Sequence, residues 1–175
     1  MNRLSRERIV EAFELLGREM PPRLQPVELV LVGGAALVLL YGARDSTKDI
    51  DALVRNSDDA STVFAAARTV AVRLGLSDDW LNDGAKGYLH GLTVGDIVFR
   101  SERLIVRSAS PAQLLAMKLS AWRDDVDIAD ARLLLSTLNG DQAQIWEEVA
   151  LHIVPGRELK ARYAFDDLWE ASHGD

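Results

Sequence analysis

The chain has 175 residues, of which 48% are hydrophobic and 27% charged, which suits one domain or a compact core with a helical extension and argues against global disorder. It contains no cysteine, which excludes disulfides, thiolate zinc sites and a cysteine nucleophile. The net charge of −7 argues against broad electrostatic capture of nucleic acid. Basic residues nevertheless cluster twice, at Arg100, Arg103 and Arg107 and at Arg157, Lys160 and Arg162. We interpret both clusters as solvated surface in preference to an RNA-binding track.

The start of the chain, MNRLSRERIVEAFELL, is polar and of mixed charge, so it does not resemble a secretion signal. The longest apolar stretch, Val27 to Tyr41, is broken by Gly33-Gly34 and is shorter than the roughly 20 residues that span a bilayer. We therefore expect a cytoplasmic protein with no membrane partner, in which this stretch forms a buried strand that leads into a buried helix.

The first half of the chain predicts helices and strands in alternation. Ile9, Phe13 and Leu16 recur at helical spacing, which predicts a helix over Ser5–Met20 that ends at Pro21-Pro22. The elements expected next are a strand over Glu28–Val32, a helix over Ala35–Tyr41 ending near Gly42, a strand over Asp49–Val54, a helix from Ser57 to about Leu74, a short helix within Asp79–Leu89, and strands over Asp96–Phe99 and Arg103–Val106.

From Ser110 the pattern becomes helical, because Ser110-Pro111-Ala112-Gln113 is typical of a capping box with proline at the first helical position. Four helices are expected: from Ser110 to about Trp122, from about Val126 to Leu138, from Asp141 to Ile153, and from beyond Pro155-Gly156 to about Ala171. The order predicts an α/β (α+β) fold, a small mixed sheet flanked by helices. We expect residues 1–107 to form this core and residues 108–175 to form a helical region packed on it.

Asp49 and Asp51 are two positions apart in a predicted strand, with Ile50 between them, so both carboxylates are expected on one face. Two like charges that close repel each other, and a divalent cation such as Mg²⁺ (or Mn²⁺) resolves the conflict by binding oxygens of both. The alternative is a solvent-facing strand that carries two aspartates. The spacing alone does not decide between these interpretations.

Gly33-Gly34 lies between a predicted strand and the start of a predicted helix, where backbone N–H groups can approach a phosphate. The alternative is a tight turn that needs positive φ. Further along, Arg44 can bind a phosphate bidentately and Thr47 can donate to a phosphate oxygen. Their alternatives are a surface arginine and a hydroxyl that caps a turn, and we favour the turn cap for Thr47.

The order of these motifs resembles the DNA polymerase β-like nucleotidyltransferase superfamily: a strand, Gly33-Gly34, a helix, then Arg44-x-x-Thr47-x-Asp49-Ile50-Asp51. The resemblance implies that the glycine pair positions the phosphates of a nucleoside triphosphate (NTP). It also implies that the two aspartates bind the catalytic metals.

The stretch Pro111–Leu135 is similar to the lysine-containing helix and the following aspartate helix of the AbiEii/MenT-like branch of that superfamily. The branch contains toxins of bacterial toxin–antitoxin pairs, several of which transfer nucleotides onto tRNA 3′ ends. The resemblance covers about residues 28–138. It implies a toxin whose partners include an NTP, tRNA and a cognate antitoxin.

Within that stretch, the resemblance implies that Lys118 faces the site and supports the charge of the phosphates. Asp127 and Asp130 share a helix face and would correspond to the downstream acidic motif, with the role of Asp130 left open. The alternative for Lys118 is a lysine whose ammonium group extends to the surface of an amphipathic helix. The alternative for the two aspartates is salt bridging with Arg123 or Arg132.

Many members of the superfamily carry a third carboxylate on a later strand, where it acts as general base. The strand that we match to it, Leu104–Arg107, has none. Asp96 and Glu102 are the nearest carboxylates in sequence, and we interpret both as surface charges. Without a dedicated base, the acceptor proton must pass to Asp51 or to a metal-bound hydroxide.

The aromatic residues give a weaker signal. Trp80 and Tyr88, in an irregular segment, are the two most suited to stack on a base, and the other tryptophans are expected to pack helices. The sequence as a whole predicts a Mg²⁺-dependent nucleotidyltransferase that moves a nucleoside monophosphate from an NTP to an acceptor hydroxyl, first of all a tRNA 3′ end. Two alternatives stay open: a protein or small-molecule acceptor, and a catalytically silent module that binds a nucleotide or a partner.

Overall fold

The computed structural model describes residues 3–174 (for Ser57, the backbone alone), and the chain divides into two compact units. The first unit runs to Ala85 and resumes over Val94–Ala109. The second comprises Lys86–Thr93 and the described chain from Ser110 onward. Strands of a mixed sheet combine with helices, so the predicted α+β fold class is confirmed.

The first unit carries the strands. In chain order it contains β1 (Leu4–Ser5), α1 (Arg6–Glu19), β2 (Val27–Leu31), α2 (Gly34–Ala36), a π-helix (Leu37–Tyr41), β3 (Ser46–Thr47), β4 (Ile50–Val54), a 3₁₀ turn (Ser57–Asp59), α3 (Ala60–Leu74), β5 (Leu81–Asn82), β6 (Ile97–Arg100) and β7 (Leu104–Ser108). A further 3₁₀ helix covers Gly84–Tyr88.

The main sheet has five strands in the order β5-β4-β2-β7-β6. Its central strand, β2, runs antiparallel to β4 and parallel to β7, and β4 runs parallel to β5. Leu29, Val30 and Leu31 of β2 are fully buried, as expected for a strand covered on both faces. After β2 the chain is partly exposed at Gly33 and Gly34, between the buried Val32 and Ala35. Strands β1 and β3 pair separately.

Helix α1 forms where the spacing of apolar residues predicts it. Its N-cap Ser5 accepts a hydrogen bond from the Arg8 backbone N–H, and Ile9, Phe13 and Leu16 are fully buried. Helix α3 ends as predicted at Gly75, which has φ +64° and so takes the left-handed conformation that glycine adopts most readily.

Three local predictions need correction. The predicted helix over Ala35–Tyr41 is helical throughout, but only α2 is α-helical and the rest is the π-helix. The predicted strand at Asp49 begins one residue later, because the bond from the Ile50 backbone N–H to Trp80 O opens the pairing with the β5 side. The segment Asp79–Leu89 is not a short α-helix, since it forms β5, paired with β4, and then a 3₁₀ helix.

The second unit is helical, as predicted, and contains α4 (Pro111–Ala121), α5 (Asp125–Ser136), α6 (Gln142–Ala150) and α7 (Glu158–His173). The predicted capping box of α4 is half formed: Ser110 Oγ accepts from the Gln113 backbone N–H, but the Gln113 side chain turns to Thr93 and Gly91 instead. The box of α6 is complete, with Asp141 and Gln144 capping each other. No helix within residues 3–174 combines the length and apolarity needed to cross a bilayer.

Candidate functional site

The side chain of Asp51 lies against the backbone of Gly33. Strands β2 and β4 bring them together, since Leu31 pairs with Ala52 and the Val32 backbone N–H donates to Asp51 O at 3.1 Å. A Cβ built on Gly33 would lie 2.8 Å from Asp51 Oδ2 and 3.1 Å from Asp51 Cβ. Any side chain at Gly33 would thus displace this carboxylate or bend the strand that carries it.

Gly34 has the same kind of close neighbour. A Cβ built on it would lie 2.7 Å from Thr47 Oγ1 and 3.3 Å from Arg44 Nη1. Gly33 has φ −136°, and Gly34 is not among the described glycines with positive φ. The tight-turn alternative for this glycine pair is therefore wrong. Both positions need glycine because other side chains approach the backbone there.

Arg44 and Thr47 both lie beside the glycine pair. Thr47 is 4% exposed, and its hydroxyl donates to Asp49 O at 3.1 Å, which confirms the turn-capping role that we favoured. Arg44 is half-buried, and its guanidinium lies beside Gly34. Nucleotide binding by these two residues stays a prediction.

Asp49 does not share the strand position of Asp51. It lies in a bend directly before β4, so strand alternation does not by itself place both carboxylates on one face. It lines a hollow of about 250 Å³ with Lys48, Ser77 and Asp79, among others, and neither Gly33 nor Asp51 lines that hollow. The carboxylate nearest Gly33 is that of Asp51. Within the described part of the chain, no three or more His, Cys, Asp or Glu residues form a group that could hold a metal ion.

The strand beside Asp51 is β5, whereas the stretch Leu104–Arg107, which we matched to the third carboxylate, belongs to β7 and borders β2. Asp51 pairs in register with Asn82. No pattern in the sequence indicates this neighbour, because a strand of two residues shows no alternation. Asp96 and Glu102 are both exposed, which agrees with our interpretation of them as surface charges.

Lys118 and the two downstream aspartates form an ion-pair cluster inside the second unit. Lys118 Nζ lies 2.8 Å from Asp127 Oδ1 and 2.8 Å from Asp130 Oδ2. The side chains of Asp127 and Asp130 are 3% and 4% exposed, and that of Lys118 is 15% exposed. The cluster joins α4 to α5, because Lys118 belongs to the first helix and the aspartates to the second.

Asp127 has a second cationic partner. Arg123 Nε donates to Asp127 Oδ2 at 3.0 Å, and the Arg123 backbone N–H donates to the same oxygen at 3.2 Å. Burial raises the pKa of Asp127, but the hydrogen bonds from Arg123 and Lys118 outweigh burial and lower the pKa from 3.8 to about 2. Asp127 is therefore an anion at neutral pH.

The salt-bridge alternative is thus confirmed for Asp127, whose partners are Arg123 and Lys118. The alternative of a surface-extended Lys118 is wrong, since its ammonium group is paired with buried carboxylates. The catalytic roles of Lys118 and Asp127 stay predictions, and the contacts within this unit already give both residues a structural role.

The two aromatic residues expected to stack on a base differ in outcome. Trp80 is 1% exposed, and its indole N–H donates to Ala67 O at 2.9 Å, so the stacking prediction for Trp80 is wrong. Tyr88 is half-buried, with the guanidinium carbon of Arg157 4.8 Å from its ring centroid. Arg157 is itself fixed by a hydrogen bond to Ser120 O at 3.0 Å.

Comparison with known proteins supports the broad superfamily that the motifs indicate. Neither the curated proteins nor the solved structures gave a match to the chain. A family model described as a nucleotidyltransferase of unknown function (DUF6036) matches residues 7–139, a span that contains all the predicted site residues. The match supports the resemblance to the nucleotidyltransferase superfamily and does not extend to the AbiEii/MenT-like branch. The chain belongs to this DUF6036 family of nucleotidyltransferases.

Proposed function

We propose that the protein transfers a nucleoside monophosphate from an NTP to an acceptor hydroxyl, with Mg²⁺ or Mn²⁺ as cofactor. One observation carries the proposal: the carboxylate of Asp51 touches the backbone of Gly33, at a place where a Cβ would not fit. An acidic side chain next to backbone that carries no side chain can bind a cation and the phosphates attached to it. We call this arrangement of Gly33, Gly34 and Asp51 the cradle. Membership of a nucleotidyltransferase family supports the same chemistry.

The residues present suit Mg²⁺ or Mn²⁺. Both ions prefer oxygen ligands, and Mg²⁺ is commonly bound by one or two carboxylates together with substrate phosphates. Asp51 would supply the first carboxylate and Asp49 the second. When bound, the cation would neutralise charge on the transferred phosphoryl group and on the departing pyrophosphate.

The remaining predicted site residues of the first unit would hold the triphosphate. Gly33 and Gly34 carry no side chain, so their backbone is open to close approach by phosphate oxygens. The guanidinium of Arg44 lies beside Gly34 and can bind two phosphate oxygens at once. Thr47 would act indirectly, since its hydroxyl fixes the backbone of Asp49.

The transfer forms one bond and breaks another. The acceptor oxygen bonds to the α-phosphorus, the bond from that phosphorus to the α–β bridging oxygen breaks, and pyrophosphate leaves with the electron pair. The acceptor proton would pass to Asp51 or to a hydroxide ion, since Asn82, the residue paired with Asp51 on β5, offers no carboxylate.

The acceptor that we propose first is a tRNA 3′ end, which would make the protein a cytoplasmic toxin neutralised by a cognate antitoxin. The support for this acceptor is the similarity of residues 111–135 to the AbiEii/MenT-like branch. A hydroxyl of a protein or of a small molecule is the enzymatic alternative.

A second candidate function is a catalytically silent module that binds a nucleotide or a partner protein. Two observations favour it: an amide, Asn82, pairs with Asp51 on the neighbouring strand, and Asp49 lies outside β4. Under this hypothesis the cradle would still bind nucleotide, but no acceptor would be modified.

One experiment separates these functions. The protein is incubated with Mg²⁺, each of the four NTPs labelled on the α-phosphate, and total tRNA, and the products are resolved by denaturing electrophoresis. Label on tRNA supports the toxin, and label on the protein itself supports protein modification. Nucleotide binding without label on tRNA or on protein would support the silent module and contradict transfer to either of these acceptors.

A further inference from the structure

We propose that the turn Asn82–Gly84 borders the nucleotide site, together with the Gly33-Gly34 pair and Asp51. Asn82 is a positioning residue, which sets the place of Gly84 beside the Asp51 carboxylate. This inference rests on the proposed function. It assigns a role to a segment that the sequence did not mark.

The sheet places Asn82 next to Asp51. The two residues are paired in the parallel ladder of β4 and β5, after the bond at 2.7 Å from the Ile50 backbone N–H to Trp80 O. Paired residues of neighbouring strands extend their side chains to the same face of a sheet. The loop that follows Asn82 therefore leaves the sheet on the face that carries Asp51.

The Asn82 side chain closes that loop. Its Oδ1 accepts from the Gly84 backbone N–H at 2.8 Å, and its Nδ2 donates to Asp79 O at 3.2 Å. Only this orientation of the amide satisfies both partners, since the Gly84 N–H needs an acceptor and Asp79 O needs a donor. Both ends of the amide are engaged in the turn, so Asn82 acts by holding Gly84 rather than by touching a nucleotide.

Gly84 also lies near the Asp51 carboxylate. A Cβ built on Gly84 would lie 3.9 Å from Asp51 Oδ1, whereas a Cβ built on Gly33 would meet Oδ2 at 2.8 Å. Each carboxylate oxygen thus has a glycine next to it. Gly84 is exposed, so this is a side from which a cation and its phosphates can reach Asp51 from solvent.

The contacts of Gly84 also link it to Asn82 sterically. A Cβ built on Gly84 would lie 2.9 Å from Asn82 Oδ1, the atom that accepts its hydrogen bond. Gly84→Ala and Asn82→Leu should therefore disturb the same bond, the first by crowding it and the second by removing the acceptor. A residue that only stabilises a loop would change the unfolding free energy and leave ligand affinity alone.

The test measures binding of Mn²⁺ by electron paramagnetic resonance and of a fluorescent ATP analogue by titration. We expect Asn82→Leu and Gly84→Ala each to weaken both affinities about tenfold or more, as loss of an outer-shell partner does at metal sites. The double variant should bind no more weakly than the worse single one, because both changes break one bond. Asn82→Asp keeps an acceptor for the Gly84 N–H and loses the bond to Asp79 O, so it should bind both ligands more tightly than Asn82→Leu does.

Gly87→Ala is the matched control. It is the other glycine of the same 3₁₀ helix, and no atom lies within 4 Å of a Cβ built on it, so its affinities should equal those of wild type. Circular dichroism and thermal unfolding verify that each variant is folded. Wild-type protein that binds neither Mn²⁺ nor nucleotide would overturn the proposed function and this inference together. Wild-type binding that Asn82→Leu retains in full would overturn the inference alone.

Discussion

Asp51 Oδ2 lies 2.8 Å from the point that a Cβ on Gly33 would occupy. The two residues are brought together by the antiparallel ladder of β2 and β4, in which Leu31 faces Ala52. The register of that ladder is fixed by the burial pattern of β4, because a slip of one residue would turn the buried Ile50 and Ala52 away from the core. The place of the acidic group is therefore a property of the core and does not depend on a mobile loop.

The first prediction concerns Gly33→Ala. The added methyl group would displace the Asp51 carboxylate, and a shift of about 1 Å at a catalytic group can cost about a hundredfold in rate. We expect transfer and Mn²⁺ affinity to fall by that order, with a loss in unfolding free energy of about 1–3 kcal/mol from crowding. Gly87→Ala, whose Cβ meets no atom within 4 Å, should leave both affinity and rate unchanged. Full activity of Gly33→Ala would show that the close contact has no functional role.

The second prediction separates the two predicted metal ligands. Asp51→Asn removes the charge nearest Gly33 with almost no change of shape, and should lower transfer by at least about a hundredfold, given that a catalytic cation contributes several kcal/mol. Asp49→Asn should have the smaller effect, because Asp49 lies in a bend and lines a different hollow. Steady-state rates and Mn²⁺ titrations of both variants measure the difference. Equal losses of rate and Mn²⁺ affinity would mean that both carboxylates contribute equally to cation binding.

The resemblance assigned the glycine pair and Asp51 to one site, because the motifs that carry it are local: an apolar strand, two glycines, a short helical stretch and a second strand. It did not predict Asn82, whose relation to Asp51 arises from parallel pairing between strands separated by α3. Strand β5 has two residues, too few to show the alternation by which strands are recognised. Because β5 is so short, the sequence pattern matched the third carboxylate to the longer strand β7 instead.

The helical second unit shows a different limit of prediction from sequence. Helical periodicity predicted α4 and α5, and placed Asp127 and Asp130 on one face. It could not show which side chain of another helix meets that face. The structure supplies Lys118, which contacts both aspartates across the junction between the two helices. The family resemblance therefore suggested function for these residues, and packing between the helices shows a salt-bridge cluster.

The third prediction tests the structural role of that cluster. Lys118→Met leaves two buried carboxylates without their shared cation, and breaking a buried ion pair typically costs about 3–5 kcal/mol. Arg162→Met is the matched control in the same unit, since Arg162 and Asp166 form an exposed pair, 41% and 40% exposed, worth up to about 1 kcal/mol. Urea unfolding measures both. A Lys118→Met protein as stable as wild type would contradict a structural role and strengthen the predicted catalytic one.

The fourth prediction is a pH dependence carried by Asp127. Its pKa in the folded protein, about 2, is below the ordinary value of 3.8, so the folded state favours the ionised form. A carboxylate of this kind stabilises the fold fully at pH values above 3.8 and loses its contribution as the pH falls from there to about 2. The difference in unfolding free energy between wild type and Asp127→Asn should therefore shrink by about 2 kcal/mol across this window. Urea unfolding of both proteins at steps from about pH 5 downward gives that difference directly. A difference that stays constant through the window would mean that Asp127 is not held as an anion by Arg123 and Lys118.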